Sequence, residues 1–155
     1  MPANDPAPEL AGLGRDHHEG LLLGWKIRTG MAKDVPPVRI QRYCRWFLRE
    51  HLVPHFAIEE DLLFPVLGPA DPLVRKALAA HRRIQRLILG CSRPEVALTH
   101  IEEELEALIR LEDRRLLPRI SEVATPALLA EVQRVHEALP EPQGGRPEDR
   151  FWAKD

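Results

Sequence analysis

The chain has 155 residues, of which 44% are hydrophobic, 30% charged and 5% aromatic, enough for one core of useful size but not for two packed domains. Lys and Arg number 22 against 24 Asp and Glu, a formal charge of -2, which excludes the basic footprint of a nucleic-acid or anionic-membrane binder. No apolar run approaches the roughly 18 residues of a membrane span, and MPANDPAPEL lacks the basic-then-apolar order of a signal peptide, so a cytoplasmic location is expected.

Glycine and proline divide the sequence into helix-length blocks without the alternation of a strand. Residues 1–8 are Pro-rich and expected to fray, and 9–139 form the folded unit. A first helix is predicted from Glu9 to Gly30, with Leu10, Leu13, Leu21 and Trp25 at helical spacing and Gly30 as its C-cap. Pro36-Pro37 opens a second helix that runs to Leu67 and should kink at Pro54. Asp71 caps a third helix from Pro72 to Leu89. A fourth follows from Glu95 to Arg119, and Thr125-Pro126 starts a short fifth ending near Leu139. Residues 140–155 read as a flexible tail. The expected fold is therefore all-α: an up-down-up-down four-helix bundle with a short additional C-terminal helix.

Seven histidines in so short a chain are the unusual feature of the composition. On the second helix the apolar stripe reads Phe47/Leu48, Leu52, His55, Glu59, Leu62/Leu63, Val66, so His55 and Glu59 point inward one turn apart. On the third it reads Val74, Ala77/Leu78, His81, Ile84, Ile88. The fourth carries Leu98, Ile101, Leu105, Leu108, Glu112, Leu116. The first offers His17 or His18, and His18 is preferred because Leu21, Leu22 and Trp25 follow it at helical spacing, whereas His17 is followed by Gly20 and Gly24. A carboxylate buried alone costs several kcal/mol or more, so two inward glutamates demand a cation, a proton or a paired base. Imidazole and carboxylate together suit a metal, and facing helices of a bundle can converge on one ion.

The segment His55-Phe-Ala-Ile-Glu59-Glu60-Asp-Leu-Leu-Phe-Pro65 resembles the HxxxEExxLFP motif of the hemerythrin-like (HHE cation-binding) family. The likeness continues through Arg-Asp-His-His on the first helix, Ala-His81 on the third and Glu112-Asp113-Arg-Arg-Leu-Leu-Pro118 on the fourth, and it covers residues 9 to 120. It implies a non-haem di-iron centre in a four-helix bundle, with bridging glutamates and histidines from all four helices. It further implies O2 or NO binding, redox sensing, iron handling or stress protection, with a protein partner or a second copy needed for output. No catalytic residue is assigned, and an enzyme is not expected.

This chain departs from the family at one position. Aligning Pro118 with Pro65 pairs Glu112 with Glu59 and Leu108 with His55, so the fourth helix lacks its histidine. His100 lies twelve residues before Glu112, about 18 Å along a helix, and cannot substitute. The expected ligand set is His18 (or His17), His55, Glu59, His81 and Glu112, holding one or two iron ions or another divalent metal, with one metal position weakened. Reversible O2 carriage uses both irons, so this departure argues against a carrier. The rival reading is a metal-free helical interaction bundle in which the glutamates pair with His55 and His81. Glu60, Asp61 and Asp113 read as solvated; His51, His100 and His136 read as outside the centre. Tyr43 or Trp46 can wall a ligand pocket, and Cys44 and Cys91 read as inert thiols.

Overall fold

The computed structural model describes residues 5–90, 92–141 and 149–154; Cys91, residues 1–4 of the N-terminal segment and, of the predicted tail, 142–148 and 155 lie outside them. Every regular element among the described residues is helical, and no helix is long and apolar enough to cross a membrane. A 3-10 turn at Pro8–Leu10 leads into α1 (Ala11–Ala32). The next helical rod, residues 37–66, contains α2 (Pro37–Phe47) and α3 (Val53–Ile58). Then come α4 (Pro72–Leu89) and α5 (Pro94–Leu111), the latter continuing through residues 112–116 into α6 (Leu117–Val123). α7 (Pro126–Glu137) is short and starts on a Thr125 cap, whose Oγ1 accepts from the Leu128 N–H at 3.1 Å. Asp71 caps α4 as its sequence predicts, accepting from the N–H groups of Leu73 and Val74 at 2.9 and 3.2 Å.

Proline does not break the helices here; it widens them. Three five-residue π turns, Leu48–Leu52, Glu59–Leu63 and Glu112–Leu116, precede Pro54, Pro65 and Pro118. In a regular helix each proline would lack its hydrogen bond and strike the carbonyl four residues back, which belongs to Glu50, Asp61 or Arg114 at the middle of the turn. The ladder shifts instead to i→i−5: Val53, Phe64 and Leu117 donate to the carbonyls of Leu48, Glu59 and Glu112. At Pro54 the disruption takes the form of a wider turn, and the same device recurs where the two inward glutamates sit.

α1 and α4 both pack along α5. The buried face of α1 is Leu13, His17, Gly20, Leu23, Gly24, Ile27 and Gly30, and Leu21 and Trp25 are 41% and 45% exposed. The helix uses its glycines as contact points. A Cβ on Gly20 would lie 2.8 Å from Ile109 Cδ1, and one on Gly30 would lie 2.8 Å from the Phe151 ring. Gly30 therefore receives a side chain instead of capping the helix, which runs on to Ala32.

Described residues near both ends of the chain pack against the bundle. The Ala7 N–H donates to Ser121 Oγ at 3.0 Å, which ties down part of the segment expected to fray. Phe151, in the expected flexible tail, is 3% exposed and meets the Tyr43 ring edge-on at 5.5 Å. Trp152 does the same at 5.1 Å, with Lys26 Nζ 4.1 Å over its ring. The reason is the slot over Gly30 and Ile40, which an aromatic ring fills. Phe151→Ala should therefore destabilise the chain by about 3 kcal/mol, as truncation of a packed phenylalanine does. Chemical denaturation reads this, and a loss below about 0.5 kcal/mol, typical of surface sites, would show the tail to be undocked.

Candidate metal centre

Five buried ionisable side chains converge in the core: His17 from α1, His55 from α3, Glu59 and Glu112 at the starts of two π turns, and His81 from α4. The π turns explain part of this. Each glutamate gives its carbonyl to an i→i−5 bond, and the widened turn re-aims its side chain relative to a regular helix. His17 Nε2 lies 3.0 Å from Glu112 Oε2, and His55 Nε2 lies 3.0 Å from Glu59 Oε1. His81 Nε2 stands 3.4 Å from Glu59 Oε1 and 3.5 Å from Glu112 Oε1. Ligand atoms of His17, His55, Glu59 and Glu112 all lie within 4.8 Å of one another.

On α1 it is His17, not His18, that joins the buried cluster. His17 is 4% exposed, whereas His18 faces solvent and lines an outer groove with Lys26, Tyr43 and Trp46. The glycines that follow His17 at helical spacing are the reason: they mark the face that approaches α5. His55, Glu59, His81 and Glu112 all point inward as their stripes predict. His51 stacks on Phe47 with ring centroids 4.8 Å apart, and His100 is exposed beside Glu103. Leu108 is 3% exposed and packed into the core.

Each inward histidine is braced by a carboxylate on a different helix. His17 Nδ1–H donates to Asp113 Oδ1 at 2.6 Å, His55 Nδ1–H to Asp16 Oδ2 at 2.9 Å, and His81 Nδ1–H to Glu60 Oε1 at 2.9 Å. Because a carboxylate only accepts, these contacts place a proton on every Nδ1 and turn every Nε2 toward the centre. Glu60 and Asp113, read from sequence as solvated, thus have a second duty. Their signal was adjacency. A residue next to an inward ligand sits about 100° around the helix, at the edge of the buried face, where it can reach a neighbouring helix.

The donor set fits a metal ion. His17 Nε2 and His55 Nε2 face each other at 3.1 Å, an arrangement that two lone pairs or two N–H groups would resist without a cation or shared proton between them. Glu59 Oε1 and Oε2, Glu112 Oε1 and His81 Nε2 are buried without a hydrogen-bond partner, a costly state for protein groups alone. Two carboxylates and imidazole nitrogens make an N/O set suited to divalent first-row metals.

Without a metal, the surrounding carboxylates draw protons onto the three imidazoles. Burial alone would lower His17, but hydrogen bonds to Asp113 and Glu112 raise its pKa to about 10. Burial likewise opposes His55 and His81, yet the Glu59 charge and Asp16 carry His55 to about 9, and Glu112 and Glu59 carry His81 to about 10. Burial and the neighbouring Glu59 charge lift Glu112 above the ordinary carboxylate range. Glu59 is held well below that range by the facing imidazoles, led by His55, against the effect of burial. Burial pushes the Cys44 thiol up to about 12, consistent with an inert cysteine.

Beside His17 and His55 lies a cavity of about 20 Å³, room for one water-sized molecule. Phe47, Leu52, Phe56, Leu105 and Leu108 supply its apolar walls. Phe47 takes the place expected for Tyr43 or Trp46. Phe56 also stacks on His81, with centroids 3.7 Å apart.

A raised histidine pKa stabilises the folded chain fully below the unfolded value of about 6.5, and that stability is lost as pH rises through the folded value. In chelator, the thermal midpoint should therefore fall between pH 7 and pH 10. A midpoint unchanged over that range would contradict the network of protonated imidazoles.

No curated protein and no solved structure matches the chain. A family model does, over residues 12–120, more than half of the sequence, and these residues contain all five converging side chains. The chain belongs to the hemerythrin HHE cation-binding domain family.

Proposed function

We propose that this protein binds non-haem iron at a lopsided centre, and that it senses or scavenges small redox ligands such as O2 or NO, or handles iron under stress. Its helices form an up-down-up-down bundle in this reading, with α7 appended. The observation that carries it is the unequal distribution of donors. Four clustered ligand atoms come from His17, His55, Glu59 and Glu112, while the position at which the motif would carry a further histidine is the buried Leu108. Leucine has no donor atom, so the second metal position is weakened or lost.

Iron, when bound, supplies a redox-active Lewis acid that takes O2 or NO as a ligand. The chain's own residues do the rest. Asp16, Asp113 and Glu60 fix the three rings, which removes the freedom of each imidazole to turn away. Phe47, Leu52, Phe56 and Leu105 give the cavity that adjoins the donors an apolar wall. That cavity suits a small apolar guest and no larger substrate, which favours ligand binding over conversion of an organic molecule. Reversible O2 carriage draws on two irons, so a sensor or scavenger fits the donor set better than a carrier. A single ferrous ion suffices for NO.

Metal analysis of protein purified under iron-replete conditions tests the reading. About one tightly held iron per chain is expected, with a visible absorption band that shifts on azide or NO. Leu108→His should raise the stoichiometry toward two. Two tight irons in the natural chain would refute the weakened position, and none under any loading would support the metal-free interaction bundle.

A further inference from the structure

The brace on His55 differs from the other two in having a second anchor. Asp16 Oδ2 accepts from His55 Nδ1–H at 2.9 Å and also from His136 Nε2–H at 2.8 Å. His136 lies on α7, beyond the residues 12–120 matched by the family. Its side chain is 18% exposed, and that of Asp16 is 33% exposed. A short carboxylate side chain with a third of its surface in water would otherwise rotate among several partners; a second donor on the same oxygen holds it in one orientation.

The rest of α7 is built to keep His136 there. Leu129 and Val132 are buried, and the helix touches α1, α3 and the π turn that starts at Glu59. On α1, Gly12 leaves the space the ring occupies: a Cβ at that position would lie 2.5 Å from His136 Nδ1 and 2.7 Å from Cε1. Any side chain at position 12 would displace the ring from its bond to Asp16.

We propose that His136 is a positioning residue of the metal centre: through Asp16 it fixes the His55 ring, so that α7 contributes to how tightly and in what geometry the metal is held. This rests on the metal-binding reading above. Chain segments outside the ligand-bearing helices thereby set a property of the centre.

Cobalt(II) titration of the full chain, followed by its visible d–d absorption and by competition with a chelator, tests the proposal. Loss of an orienting partner of a metal ligand weakens binding by about 10–100-fold. Since His136 acts one bond further out, His136→Ala should weaken cobalt binding by roughly tenfold and alter the absorption envelope. Gly12→Ala should do the same while leaving the imidazole in the chain, because alanine suits a helix but displaces the ring. His136→Gln, which still offers an N–H donor, should recover most of the affinity. Circular dichroism checks that each variant is folded. Natural affinity and spectrum in both His136→Ala and Gly12→Ala would overturn the proposal. A natural chain that takes up no cobalt or iron would instead overturn the metal-binding reading, and this inference with it.

Discussion

Two carboxylates, Glu59 at 0% and Glu112 at 1% exposure, face each other across the apolar core, and most of what is unusual in this protein follows from accommodating them. An unpaired buried charge is among the costliest features a small domain can carry. Three imidazoles surround the pair, and each is turned by its own carboxylate so that Nε2 faces the glutamates. The resulting set pairs imidazoles with carboxylates without being fully hydrogen-bonded. Four of its atoms, both Glu59 oxygens, Glu112 Oε1 and His81 Nε2, have no hydrogen-bond partner.

The scaffold serves the same constraint. Pro65 and Pro118 each stand six residues after a glutamate, and the π turn each one enforces begins at that glutamate. The braces run from helix to helix: Asp16 on α1 holds a ring on α3, Glu60 holds one on α4, and Asp113 holds one on α1. This cross-bracing makes the centre a joint property of packed helices, not of any one segment. It also explains why a site of five titratable groups can coexist with neighbours as apolar as Leu63, Leu105 and Leu116, all at most 2% exposed.

How much of this was legible in the sequence depended on what filled each stripe. Where a ligand interrupts a run of large apolar residues, as Glu112 does among Leu105, Leu108 and Leu116, helical spacing alone places it inward. The α1 stripe is different. Its contact surface is made of glycines, which carry no hydrophobic signal, while Leu21 and Trp25 face outward. Spacing therefore pointed to His18, and close helix packing selected His17. The braces were hidden for another reason, since an acidic residue beside a ligand looks like an ordinary solvated neighbour until the facing helix is in place. The docking of Phe151 on Gly30 and the reach of His136 to Asp16 join residues more than a hundred positions apart, and no local pattern announces them.

In the proposed function the buried carboxylates and imidazoles hold a metal, mainly on the His17 and His55 side. Anomalous diffraction at the iron edge, from crystals of iron-loaded protein, tests it most directly. One strong peak is expected within bonding distance of His17 Nε2, His55 Nε2, Glu59 and Glu112, with a weaker peak or none beside His81. No peak among these residues, or two peaks of equal height, would contradict it.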